Sequence, residues 1–136
     1  PNLNLLGERE PEIYGAISLK DIESSLIKIA NENDTEISIH QSNHEGELID
    51  LVHEASKKAD GIIINPAAFT HSSIAILDAL RSLNKPKIEI HLSNIYSREE
   101  YRKKSVTSEG VDGLICGFGE NSYILGIEAI AKLIYN

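Results

Sequence analysis

Asn65, His71, His91, Ser93, Asn94, Arg9 and Tyr14 are the side chains whose types and places in the sequence could do chemistry. Asn65 ends the apolar run Gly61-Ile62-Ile63-Ile64 and opens Pro66-Ala67-Ala68-Phe69-Thr70-His71. His91 ends Lys87-Ile88-Glu89-Ile90 and opens Leu92-Ser93-Asn94, while Gly117-Phe118-Gly119 follows Gly113 to Cys116. Open parallel sheets bind ligands beyond the carboxyl ends of their strands. These runs, read as strands, would therefore aim the groups that follow them at one crevice. A phenol and an imidazole carry protons, and a guanidinium stabilises negative charge beside them. A lone histidine or tyrosine in a loop is usually only solvated, but several converging groups are hard to explain by turn capping alone. The chemistry they suit is acid–base catalysis without a cofactor.

Other chemistries fail on spacing. Gly117-x-Gly119 has Ser122 where a dinucleotide fingerprint needs its third glycine, and there is no phosphate-loop lysine motif. His40, His44 and His53 fall in different elements, which favours a solvated surface over a metal site. Cys116 sits inside an apolar run and reads as a small core residue. No lysine stands at a strand end where desolvation could prepare it for Schiff-base chemistry. Thirteen Lys and Arg against 21 Asp and Glu give a net charge of −8, which opposes binding to nucleic acid or to an anionic membrane. A lone cysteine suits a reducing cytoplasm, and no apolar run nears the roughly 18 residues of a membrane span.

The elements that must position these groups follow from two periods. Ser18-Leu19-Lys20-Asp21 is a capping box, with Ile22, Leu26, Ile29 and Ala30 on one face of the helix behind it. Leu48, Leu51, Val52, Ala55 and Ala59 mark a second helix, and Ser72 to Leu83 a third. A closing helix runs from Tyr123 to Ile134 with Ile124, Ile127, Ala131 and Ile134 inward, and Arg98 to Lys104 predicts a short exposed one. Strands are predicted at 36–40, where Ile37 and Ile39 alternate with polar residues, and at 61–65, 87–91 and 113–116. Strands separated by helices imply a parallel sheet between helical layers, an α/β three-layer sandwich. The 136 residues suffice for one such domain, residues 1–136, and no more. Such a sheet usually begins with a central strand, whereas Pro1-Asn2-Leu3-Asn4-Leu5-Leu6-Gly7 reads as the loop after one. A short apolar first strand, missing from this chain, is therefore expected ahead of Pro1 in the natural protein. Arg9 and Tyr14 then hang over the same sheet edge as Asn65 and His91.

Four segments, in order along the chain, resemble the motifs of type II 3-dehydroquinate dehydratases: Pro1 to Gly15, Gln41 to Asp50, Asn65 to Ser73, and Ile88 to Asn94 with Arg98 to Arg102. The resemblance implies a flavodoxin-like fold, a homo-oligomer of four trimers forming a dodecamer, and reversible dehydration of 3-dehydroquinate to 3-dehydroshikimate in the shikimate pathway. No cofactor and no metal is implied. Tyr14 would remove a proton next to the ketone, with Arg9 on a mobile lid supporting the tyrosinate. His91 would protonate the departing hydroxyl, and Asn65 would help to hold the water that stabilises the enolate. Substrate contacts are implied for Asn65, His71, Leu92, Ser93 and Arg102, with Asp78 reaching in from a neighbouring subunit. A free phenol has a pKa of about 10 and is a weak base at neutral pH, so a nearby guanidinium would have to favour the phenolate. The runner-up is a non-catalytic module in which Arg9, Arg102 and His71 bind a small anion. Simple anion binding, however, does not require the combination of Arg9, Tyr14 and His91.

Overall fold

A computed structural model describes residues 1–136 and contains one parallel sheet in the order β1 (Ile62–Ile64), β2 (Lys87–His91), β3 (Gly113–Cys116). Ile63 pairs with Ile88 across β1 and β2, and His91 pairs with Cys116 across β2 and β3. Five α-helices accompany it: α1 (Pro11–Tyr14), α2 (Leu19–Glu32), α3 (Glu45–Lys58), α4 (Ile74–Ser82) and α5 (Asn121–Tyr135). Successive strand side chains point to opposite faces, and that alternation divides the core. Ile62 and Ile64 meet Val52 of α3 and Ile76, Ala79 and Leu80 of α4. Ile63, Ile88 and Ile90 meet Ile130 of α5 on the other face. There α2 adds Ile22 and Leu26, which pack with Leu6 and Leu92. Ile76, Leu80 and Ile90 are completely buried, each contributing about 1.5–3 kcal/mol by leaving water.

The capping box is present: Asp21 accepts from the Ser18 backbone N–H at 3.0 Å, and Ser18 Oγ accepts from the Asp21 N–H at 3.2 Å. The opening loop contains a short 3-10 turn, Leu3–Leu5, and bends back at Gly7. Gly7 has φ +88°, and a Cβ there would sit 3.1 Å from the Ala16 carbonyl oxygen, so glycine is required. No helix is long and apolar enough to cross a membrane.

Several sequence expectations need correction. Residues 36–40 belong to no strand or ladder; Ile37 and Ile39 pack against the Leu6–Ile22–Leu26–Leu92 cluster without a paired neighbour for their backbone. Arg98 to Lys104 is not an α-helix; Arg98 caps the 3-10 turn Ile95–Ser97, and a second 3-10 turn, Glu100–Arg102, lies within the segment. The fully buried line of α5 is Ser122, Gly126 and Ile130, with Ile124, Ile127 and Ile134 only partly covered. Gly126 lets the helix approach the sheet, since a Cβ there would already touch Ile63 and Ile90 at 3.4 Å. Cys116 is only partly buried.

Candidate active site

Beyond the carboxyl ends of β1 and β2 the opening loop, the turn after β1 and the turns after β2 enclose one cavity. Arg9, Tyr14, Asn65, His71, His91, Leu92, Ser93 and Arg102 all line it. Three arginines and two histidines face it and no carboxylate does, so a chain of net charge −8 presents a cationic hollow. Asn2, Ile95 and Arg98 also line it, and the sequence reading singled out none of them. Asp78 lies exposed on α4, outside the lining of its own chain's cavity. His40, His44 and His53 are exposed and lie elsewhere.

Tyr14 ends α1, a helix of one turn started by Pro11. Its hydroxyl accepts a hydrogen bond of 2.7 Å from Arg98 Nη1. The guanidinium groups of Arg98 and Arg9 both lie over the Tyr14 ring, 5.3 and 5.6 Å from its centre. Arg9 is thus the more distant cation, and its Nη2 pairs with Glu10 at 3.2 Å. Arg98 is 10% exposed, and its Nη2 is buried with no hydrogen-bond partner. A buried guanidinium nitrogen without a partner is costly unless an acceptor arrives. Arg98 and Arg102 reach the same cavity from different turns, so their spacing of four residues gave no helical signal for it. The dense charge of Arg98 to Lys104 masked the pair as a solvated stretch.

His91 is held from below. Its Nε2 lies 2.7 Å from Glu89 Oε1, and both side chains are buried. Residues two apart on a strand share a face, so the pattern Ile88-Glu89-Ile90-His91 puts acid and imidazole together by alternation. Burial alone would raise the Glu89 pKa, but hydrogen bonds from His91, Thr70 and Thr107 overcome it and hold the carboxyl below its ordinary value. Glu89 was not among the sequence candidates, although it fixes the orientation of one of them.

Asn65 is anchored at both ends of its amide. Its Oδ1 accepts from the Ala67 N–H at 3.0 Å, and its Nδ2 donates to Tyr123 Oη at 3.1 Å. Burial pushes the Tyr123 phenol up to about 12, a hydrogen bond from Asn65 only partly opposing it, so Tyr123 serves as a neutral acceptor. His71 Nδ1 lies 2.8 Å from the Lys104 carbonyl, which can only accept, so that nitrogen carries the hydrogen and Nε2 is left free. Ala67 (φ +49°), Asn2 (φ +63°) and Glu10 (φ +42°) take left-handed backbone conformations in the segments that build the cavity. Strain of that kind persists where the surrounding structure over-determines it.

The profile of the family described as Dehydroquinase class II matches residues 1–131. The chain belongs to the class II dehydroquinase family. A 3-dehydroquinate dehydratase of Clostridium botulinum strain Hall is 57% identical over 130 residues, spanning 96% of this chain and 88% of that protein. The crystal structure of a type II dehydroquinase from Butyrivibrio crossotus has a TM-score of 0.95 at 44% identity and covers 96% of this chain and 92% of its own. One from Propionibacterium acnes has a TM-score of 0.94 at 41% identity, covering 97% and 91%. The expected architecture is therefore this chain's architecture, and the chain is an enzyme of the dehydratase (hydro-lyase) class. The reading as a non-catalytic anion-binding module is set aside.

Proposed function

We propose that the chain catalyses the reversible dehydration of 3-dehydroquinate to 3-dehydroshikimate, with Tyr14 as base and His91 as acid. The phenolate of Tyr14 takes the proton next to the ketone. The electron pair of that C–H bond moves into the carbonyl and makes an enolate. The enolate collapses, the C–O bond to the departing hydroxyl breaks, and His91 gives that oxygen the proton with which it leaves as water. These steps use no cofactor.

The observation that carries the reading is the 2.7 Å hydrogen bond from Arg98 to the Tyr14 hydroxyl, in a cavity that also contains His91. A guanidinium at that distance compensates the charge of a phenolate, and it stays protonated in a desolvated site where a lysine would not. A positioned general base of this kind contributes about 10²–10⁴ in rate. Arg9 closes over the substrate as part of a lid and adds a second positive charge. Asn65, anchored by Ala67 and Tyr123, keeps an amide hydrogen for the water that stabilises the enolate. Arg102, His71 and the backbone N–H groups of Leu92 and Ser93 hold the substrate's polar groups, its carboxylate included. Asp78 reaches into a neighbouring subunit's site within a trimer, four trimers forming a dodecamer.

The product is a conjugated enone that absorbs in the ultraviolet. Purified protein mixed with 3-dehydroquinate should raise that absorbance in proportion to protein concentration. A flat trace at every protein concentration would overturn the proposal.

A further inference from the structure

Beneath the cavity three hydroxyls converge on one carboxylate. Thr70 Oγ1 lies 2.5 Å and Ser105 Oγ 3.0 Å from Glu89 Oε1, while Thr107 Oγ1 lies 2.7 Å from Oε2. Thr70 is the hub, because its Oγ1 is also 2.7 Å from Ser105 Oγ and 2.8 Å from Thr107 Oγ1. Thr70, Thr107 and Glu89 are fully buried. His91, on the same strand, is the one ionisable side chain in hydrogen-bond reach of the carboxylate; the partners from the turn after β1 and the turn before β3 are neutral.

Each hydroxyl owns a single hydrogen, and that orders the cluster. Ser105 Oγ accepts from the Ser108 N–H at 3.0 Å and gives its own hydrogen to Thr70. Thr70 gives its hydrogen to Oε1, and Thr107 gives its hydrogen to Oε2. Oε1 takes its second hydrogen from His91 Nε2. Every donor is then used once, and His91 Nδ1 is left for the cavity.

When His91 is loaded to act as an acid, the pair has one proton to place across a gap of 2.7 Å. It can be an imidazolium beside a carboxylate, or a neutral imidazole beside a carboxylic acid. Both carry a hydrogen on Nδ1, but only the imidazolium releases it readily. A buried site by itself favours the neutral pair, because two charges there lose their hydration. Hydroxyl donors aimed at the carboxylate reverse that preference, since hydrogen bonds to an ionised group are the strong ones.

We infer that Thr70 is a positioning residue: at the head of the Ser105 chain and beside Thr107, it keeps the shared proton on His91 and so makes that histidine a usable acid. The inference rests on the proposed role of His91. It is tested with Thr70→Val, which keeps the shape and removes the hydroxyl, with Thr70→Ser, which returns it, and with Thr107→Val, which removes a donor from another element. Two readouts apply: kcat and KM for 3-dehydroquinate, and the infrared carboxylic-acid band of the ligand-free protein, assigned to Glu89 by its disappearance in Glu89→Gln variants. Thr70→Val should lower kcat by about tenfold or more with KM within about twofold, and the acid band should appear near neutral pH. Thr107→Val should move both readouts the same way, and Thr70→Ser should restore both. Absence of the acid band in Thr70→Val, or an equal fall of kcat in Thr70→Val and Thr70→Ser, would overturn the inference. If the wild-type protein does not turn over 3-dehydroquinate, the proposed function fails, and the infrared band still decides where the proton sits.

Discussion

The two proton carriers of the cavity stand on unlike ground. His91 is 5% exposed on the central strand, flanked by β1 and β3, and its partner Glu89 is 0% exposed inside a ring of hydroxyls. Tyr14 ends a four-residue helix that buries nothing, entered through Glu10 at φ +42° and left through Gly15 at φ +81°. Its hydroxyl is held by Arg98, a residue 84 positions away. Segments with few buried contacts open at low cost, whereas a central strand opens only with the whole domain. His91 is therefore held by a rigid strand, whereas Tyr14 is held by a contact between two turns, the opening loop and the Arg98 segment. The lid of the proposed function would lie on the second side.

The strongest way to break that contrast is to remove the base alone. Tyr14→Phe keeps the ring and its cation contacts, so turnover should fall by about 10²–10⁴ while calorimetric affinity for the substrate stays within a few-fold. Affinity that collapses together with turnover would make Tyr14 a binding residue. The next test separates the two guanidinium groups. Arg98→Ala should lower kcat by about 100-fold, the loss expected when a charge-stabilising donor at the reacting group is removed. Arg9→Ala should cost about tenfold and chiefly in KM, because Arg9 touches the ring and not the oxygen. A larger kcat loss from Arg9→Ala than from Arg98→Ala would reverse the order and put the decisive cation on the lid.

On the acid side, the same contrast is read as stability against pH. The folded state holds Glu89 below its ordinary carboxylate value. As pH falls, the unfolded chain therefore takes up that proton first. The stability Glu89 contributes is whole at neutral pH, erodes below the ordinary carboxylate range, and is gone below the folded value. Glu89→Gln should cost about 2–3 kcal/mol at neutral pH, where charged hydrogen bonds are lost, and the two proteins should converge in acid. Denaturant midpoints at a series of pH values measure this; a constant gap down to strongly acidic pH would show that Glu89 is not ionised in the folded protein.

What the sequence made legible, and what it hid, follows the same division. The Ile62-Ile63-Ile64 run, the Ser18–Asp21 capping box and the strand-end places of Asn65 and His91 are local patterns, and each appears in the structure where its period put it. Glu89 stayed hidden because its burial depends on Thr70, Ser105 and Thr107, which lie 19, 16 and 18 residues away in sequence. Alternation alone put it on the His91 face, yet a charge run usually means solvent. Arg98 was hidden for the opposite reason. Its neighbourhood of charges looks solvated, but the Asn94 side chain accepts from the Tyr96 N–H at 3.1 Å and starts a 3-10 turn before Arg98, whose side chain is buried. Residues 36–40 show a third limit, because alternation specifies an extended conformation and a buried side but no ladder partner.

The smallest expected effect sharpens the contrast between two glutamates. Glu10 on the lid side pairs with Arg9 at 3.2 Å, with side chains 41% and 38% exposed, whereas Glu89 has hydrogen-bond donors and no solvent. An ion pair between side chains this exposed is worth about 0–1 kcal/mol, although Glu10 Oε2 itself is buried with no hydrogen-bond partner, and Glu10 also carries the cost of a left-handed backbone. Glu10→Gln keeps the shape and removes the charge, so stability should change by less than about 0.5 kcal/mol. The charge nonetheless sits beside Arg9, where under the proposed function it would compete with an anionic substrate for the same guanidinium. Without it, kcat/KM for 3-dehydroquinate should rise about two- to fivefold at low ionic strength, and the gain should shrink at about 1 M salt, where the screening length falls to about 3 Å. The rise should lie in KM, because the Tyr14–Arg98 hydrogen bond, to which the proposed function gives the chemistry, is untouched. A Glu10→Gln variant with unchanged kcat/KM at low salt, or with kcat reduced, would mean that Glu10 positions Arg9 instead of restraining it, and the lid side would then be as deliberately organised as the strand side.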